Sequence, residues 1–568
     1  MSLISTKASR LALGLVWTAV GFSQPAFAAP ATVAQNSATI GLYEVYELTL
    51  TSDSQLYANP WTDAVITAIF RSPSGKTSTI GGFYYDTDAF KVRFTPRETG
   101  AWTWTLSMTG SGSFNTSGQF TAVGSKKKGF MRADPGRPRT FYTEGNGKSF
   151  HGIGINDCWN GNYFLDVQNL DVGLDAYFDT WNAAGNNFYR FGFSNCADYV
   201  FAYAGLNVNN SGTNRYDVDV GKRFDALATK LRALDWKMMV SFVGTGSGFV
   251  FDLSDPAYRQ AVLHMHKYII DRWGAYVDFW ELTNEVNPLN HPTWLDYATV
   301  VTTFVRGYDP YRQLLGTSSS CQNNYWSCPS PAFDVNSDMH AYMPCNGHEG
   351  CTAANTASGS LDLDAAWVQN IDLMKAATPL PLIAGEAGNH GCNGNPAGGT
   401  DPLRERYRIG LWVTFFNQVI PVWWNSTSIS YCASAGNIYI GPDERRHSRV
   451  FADYIANFDL RTASNIPLTL SDPTNSRGYG MAGATDLGAW FVHSTSHLTP
   501  LSGGRVTLTI PASLNGAPGY WLDTNTGAVL GKFTAISGQQ TLTIPPFTID
   551  IALRIHRDRD GEDEVSAK

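Results

Sequence analysis

Polar and apolar residues alternate along the first part of the chain with the period of two that marks half-buried strands. The alternation runs through 39–51 and 64–70, breaks at the turn Ser72-Pro73-Ser74-Gly75-Lys76, and resumes at 90–96 and 100–106. Several short strands at this spacing predict a small β-sandwich over 38–123. A polar stretch at 124–139, with Lys126, Lys127 and Lys128, reads as a linker or a strand crossing. From 141 to 458 the rhythm changes. Short apolar runs at 152–156, 187–191, 237–243, 279–283, 313–317, 337–342, 382–385 and 422–424 alternate with helical stretches such as 220–234, 256–273, 362–377 and 403–418. Eight such units predict an α/β fold closed as a (β/α)8 TIM barrel. An open doubly wound sheet is the alternative, but the glycine cluster Gly244-Thr245-Gly246-Ser247-Gly248 lacks the spacing of a phosphate loop. Beyond 459 the strand pattern returns at 489–493, 506–510 and 541–544, with a turn at Asp523-Thr524-Asn525-Thr526-Gly527. A C-terminal all-β domain is expected over 459–557, and a polar, disordered tail over 558–568.

The first 28 residues read as a leader rather than as fold. Lys7 and Arg10 precede the apolar stretch 11–22, and Ala26-Phe27-Ala28 supplies a small-residue cleavage site. The mature protein is expected to be secreted, to the periplasm or beyond the cell. Other apolar runs are too short to span a bilayer, so no membrane span is expected. The formal net charge of -8 is dispersed and forms no basic stripe, which argues against a nucleic-acid partner. Charged residues make up only 16% while aromatics reach 13%, and aromatic faces stack well on sugar rings. The eight cysteines of an exported chain read as disulfides. Cys321–Cys328 and Cys345–Cys351 are expected as local clips, with Cys158–Cys196 and Cys392–Cys432 joining neighbouring loops. A zinc site is the alternative, but no CxxC or paired-histidine spacing supports it. His264 and His266 stand two apart on a predicted helix and do not face one ligand.

Two glutamates stand where predicted strands end. Glu285 closes Phe279-Trp280-Glu281-Leu282-Thr283-Asn284-Glu285, after the fourth run, and Glu386 closes Leu382-Ile383-Ala384-Gly385-Glu386, after the seventh. Chemistry in a parallel barrel is mounted at the strand ends. Two carboxylates across one cleft are what glycosidic cleavage needs, one to donate a proton and one to attack or to activate water. Glu281 is the decoy, and reads as a partner inside the barrel.

These segments resemble the clan A glycoside hydrolases, family 5-like. Asn284-Glu285 is similar to the acid/base motif of that clan and Gly385-Glu386 to its nucleophile motif. Asn187-Phe188-Tyr189-Arg190 is similar to the second-strand segment whose arginine supports the nucleophile, and His340-Ala341-Tyr342 to the sixth-strand motif. The resemblance implies a sugar-flooring tryptophan at Trp423 or Trp424, and Asn284 on the sugar 2-hydroxyl. His340, Tyr342, Asp157 and Trp159 are further candidates for substrate contact. The segment Tyr57-Ala58-Asn59-Pro60-Trp61 with Arg93-Phe94-Thr95-Pro96 resembles a sandwich of undefined function found ahead of such barrels in bacteria. Val286 and Ala387 depart from the commonest pattern, which leaves subfamily and substrate open. The expected activity is retaining hydrolysis of a β-linked poly- or oligosaccharide, with no metal and no organic cofactor. A non-catalytic carbohydrate-binding barrel is the alternative. An esterase is disfavoured by the lack of a G-x-S-x-G elbow.

Overall fold

The computed structural model describes residues 32–156, 173–192, 214–244, 249–284, 286, 290–318, 363–387, 405–424 and 441–557. The expected leader and tail, all eight cysteines with their pairing, and the run at 337–342 lie outside these residues. Among the described residues, the central sheet has seven parallel strands: β1 (Gly154–Asn156), β2 (Phe188–Gly192), β3 (Lys237–Gly244), β4 (Phe279–Asn284), β5 (Leu314–Gly316), β6 (Leu382–Ala387) and β7 (Val419–Trp424). Their order is β5-β4-β3-β2-β1-β7-β6. They coincide with seven of the eight predicted runs, and the remaining run falls in sequence between β5 and β6, the two edges of this sheet. The sheet is curled, because Phe188, Met239, Phe279, Leu314, Ile383, Ile420 and Val422 from six of the strands meet in one apolar cluster. It is a half-barrel of the TIM type.

Among the described residues, seven helices flank the sheet in sequence: α1 (Gly173–Ala183), α2 (Val218–Ala233), α3 (Pro256–Trp273), α4 (Trp294–Tyr308), α5 (Leu363–Ala377), α6 (Glu405–Phe416) and α7 (Pro442–Ile455). Local chemistry sets several ends. Asp217 and Asp255 accept from the amides of Val220 and Ala257, each at 2.9 Å, and so cap α2 and α3. At the other end of α2 the Lys127 ammonium donates to the carbonyls of Arg232 and Ala233 at 2.8 and 2.7 Å, satisfying acceptors the helix leaves open. Every residue of α6 is buried. It is buried on all sides, with Glu405, Arg406 and Arg408 among the buried residues, because it lies between the sheet and the C-terminal strands.

The stretch 124–139 is more than a linker. It carries the strand Met131–Asp134 and the start of Arg137–Thr143, which with Ser149–Phe150 form a three-stranded antiparallel sheet. Met131, Phe141 and Phe150 enter the interior cluster beside Phe188, Phe279 and Leu314, the first residues of their strands. The small sheet therefore stops the N-terminal mouth of the barrel. The fully buried Asp278 fastens it, accepting from the Met131 amide at 2.8 Å and the Met238 amide at 3.0 Å.

Ahead of the barrel, a four-stranded and a five-stranded sheet face each other. Stacked rings join them, Tyr46 on Phe120 at 4.0 Å and Phe70 on Phe94 at 4.2 Å between centroids. After the barrel, a six-stranded and a three-stranded sheet enclose a separate core that includes Leu487, Phe491, Leu508, Trp521 and Leu553. This unit docks on α6 through Asp550, which accepts from Arg408 Nε and Trp490 Nε1, each at 2.9 Å. It docks on α5 through Arg477 and Tyr479, which both donate to Asp364.

Candidate active site

The C-terminal end of β4 carries a dense set of polar contacts among the described residues. Glu281 is completely buried and Arg190 of β2 nearly so. The guanidinium spans β3 to reach Glu281, with Nε donating to Oε2 at 3.0 Å and Nη2 to Oε1 at 2.8 Å. The same Nη2 donates to Oδ1 of the buried Asn284. Strand register explains how the arginine crosses. Arg190 lies beside Met239 and Phe279, and the next inward row is Gly192, Ser241 and Glu281. Glycine and serine leave room above β3 for a planar cation to pass to the carboxylate. The forked geometry makes the pair strong and directional.

The last residues of β4 are held from outside as well. The Thr283 carbonyl accepts from the Ser318 amide at 3.1 Å, the Ser318 hydroxyl at 3.2 Å and the Thr317 hydroxyl at 3.1 Å. The Thr283 hydroxyl meets Thr317 Oγ1 at 2.8 Å and receives Trp294 Nε1 at 3.3 Å. This clamp sits two residues ahead of Glu285. Glu285 itself lies outside the described residues, as do Asp157, Trp159, His340 and Tyr342.

Glu386 belongs to β6, and the backbone there is irregular. Ala384 pairs with Pro421 and Ala387 with Trp423, so the two residues Gly385 and Glu386 stand against the single Val422 of β7. Such a bulge re-aims side chains and is common beside active sites. On β7 the two tryptophans part company. Trp423 is fully buried against Tyr407 of α6 and Trp367 of α5, with ring centroids 4.8 and 6.1 Å away. Its described ring contacts are with the helix layer. Trp424 lies in register with Asn156, which in turn lies in register with Arg190. Asn156 is buried and was not among the sequence candidates. Its place as the last residue of β1, just before Asp157, is the signal that could have found it.

Both helical histidines are structural. His266 shares Nδ1 with the Val262 carbonyl at 2.8 Å and Nε2 with the Tyr297 hydroxyl at 3.3 Å. Burial pushes its pKa down to about 4. His264 is likewise lowered to about 4, mainly by burial. Among the described residues, no group of three or more His, Cys, Asp or Glu is placed to hold a metal ion. No helix among them is long and apolar enough to cross a membrane.

Comparison with known proteins adds a domain and a fold. Residues 39–109 match the family described as a domain of unknown function, DUF5060. No protein of curated function matches the chain. A candidate glycoside hydrolase from Bacteroides vulgatus, known from its crystal structure, aligns with 92% of this chain and 100% of its own at 14% identity and a TM-score of 0.59. A family 39 glycoside hydrolase from Bacteroides cellulosilyticus aligns with 93% of this chain and 100% of its own, at 11% identity and a TM-score of 0.44. A family 30 subfamily 8 xylanase from Clostridium acetobutylicum aligns with 72% of this chain and 96% of its own, at 13% identity and a TM-score of 0.42. The likeness to the Bacteroides vulgatus protein shows a shared fold over nearly the whole chain.

Proposed function

We propose that this chain is a secreted retaining glycoside hydrolase that cleaves a β-linked poly- or oligosaccharide. The observation that carries the reading is the meeting of Arg190 and Asn284 at the strand ends, with Asn284 directly preceding Glu285. The bulge at Gly385–Glu386, on a strand of the same sheet, supports it. In this reading Glu386 is ionised and attacks the anomeric carbon, forming a glycosyl-enzyme ester. Glu285 protonates the leaving oxygen, then removes a proton from the water that hydrolyses the ester. Asn284 binds the sugar 2-hydroxyl, a contact that strengthens as the oxocarbenium-like transition state forms. Trp424 floors the subsite, and His340, Tyr342, Asp157 and Trp159 contribute contacts from the neighbouring loops. No residue role in the scheme requires a metal or an organic cofactor.

The test is reducing-sugar release over β-glucans, mannans, xylans, galactans and algal polysaccharides, with wild type beside Glu386→Gln. Release by wild type that falls by about 10³-fold or more in the variant is the expected result. Release that survives in Glu386→Gln would overturn the nucleophile, and silence on every polymer combined with tight binding would favour a non-catalytic barrel.

A further inference from the structure

Glu281 has no task in the glycosidase scheme. Glu281 has no exposed surface, and both its oxygens face Arg190. A buried ion pair is a costly way to brace a barrel, since apolar residues of the same volume serve as well. Here the pair comes with a second contact, because the arginine nitrogen that meets Glu281 Oε1 also meets Asn284 Oδ1. Glycine and serine in the row between β2 and β4 keep the path of the guanidinium open. We propose that Glu281 is a positioning residue: its carboxylate aims the Arg190 guanidinium at Asn284 and cancels the positive charge at the strand ends. The proposal rests on the glycosidase reading and deepens it. Arg190 then acts chiefly as an oriented hydrogen-bond donor rather than as a bare cation that holds a nearby carboxyl ionised.

Three variants test this with the pH profile of kcat/KM. Glu281→Gln keeps the shape and removes the carboxylate charge that faces the Arg190 guanidinium. A cation within about 4–6 Å lowers a carboxyl pKa by one unit or more. The alkaline limb, set by loss of the proton on the acid, is expected to move to lower pH by about one unit, with kcat down about 100-fold from misplacement of Asn284. Glu281→Asp keeps the charge, so its limb stays at the wild-type position while kcat falls. The double variant Glu281→Gln/Arg190→Gln removes both charges, so its limb returns while kcat stays low. If Glu281→Gln does not fold, the double variant, which removes both charges together, carries the test, and wild-type kcat in it overturns the proposal. A folded Glu281→Gln with an unmoved limb and near-normal kcat overturns it too, leaving the glycosidase reading intact. A wild type that turns over no glycoside overturns both.

Discussion

Arg93 and Asp225 stand 132 residues apart in the chain and meet at 2.7 Å in the fold, Nη1 donating to Oδ1. Arg93 belongs to the N-terminal sandwich and Asp225 to α2, so the pair fastens one domain to the other. Asp225 also accepts from Arg272 Nη2 at 2.7 Å and Trp273 Nε1 at 2.8 Å, while Arg93 also holds Glu47. Asp225→Ala removes the shared acceptor and leaves two buried guanidinium groups short of compensation. A loss of about 3–5 kcal/mol is expected in urea unfolding.

The same carboxyl predicts an acid limb of stability. Burial alone would raise the Asp225 pKa, but Arg93 and Arg272 outweigh it and the group is lowered. A lowered folded value means the contribution is fully present above the ordinary carboxylate range and is lost as pH falls through the folded value. Melting temperature is expected to drop more steeply below about pH 4 in wild type than in Asp225→Asn. Equal slopes would show that the brace does not couple to protons.

Where the C-terminal domain meets the barrel helices the sign reverses. His497 Nδ1 lies 2.7 Å from Glu405 Oε2, where the C-terminal domain meets α6. Burial alone would lower the imidazole, but the contact with Glu405 outweighs it and His497 is raised above 6.5. The stabilising charge is then fully present below 6.5 and is lost as pH rises through the folded value. His447 nearby is held down at about 4, chiefly by burial, so it stays neutral across this window. Thermal melts from about pH 6 to about pH 9 should show falling stability in wild type and a flatter profile in His497→Gln.

Packing around Trp423 gives a prediction that separates core from cleft. A methyl group added at Gly410 would lie 2.5 Å from the Trp423 ring. Gly410→Ala is expected to cost about 1–3 kcal/mol by overpacking, and Trp423→Ala about 3–5 kcal/mol by leaving a cavity. In both, KM for the folded fraction should stay at the wild-type value. A raised KM in Trp423→Phe with an unchanged melting temperature would return that ring to the cleft.

Asp278 offers a local test of the stopper at the barrel mouth. Asp278→Leu leaves the amides of Met131 and Met238 without their acceptor, at about 1–3 kcal/mol each. Hydrogen exchange at those two amides should accelerate ahead of the rest of the sheet.

Much of this was open to a reading of the sequence because it depends on local period. Strand and helix positions follow from spacings of 2 and 3.6, and helix ends from capping residues such as Asp217 and Asp255. The strand-end setting of Asn284 and Glu386 follows from the same patterns. Partner choice does not. Arg190 is bonded to Glu281 and Asn284, 91 and 94 residues away, and no local pattern states which acceptors it meets.

The sequence by itself therefore determined the order of elements, the strands that carry the candidate carboxylates and the alternating faces on which side chains stand. Tertiary structure decided the rest. It made Lys127 a helix cap, turned 131–150 into a stopper for the barrel, and assigned Trp423 to the helix layer. It also gave Glu281 the arginine. The physical reason is range: torsional and hydrophobic periodicity act between near neighbours in the chain, whereas burial, ion pairing and ring packing are settled by whichever distant groups the sheet register brings within a few ångströms.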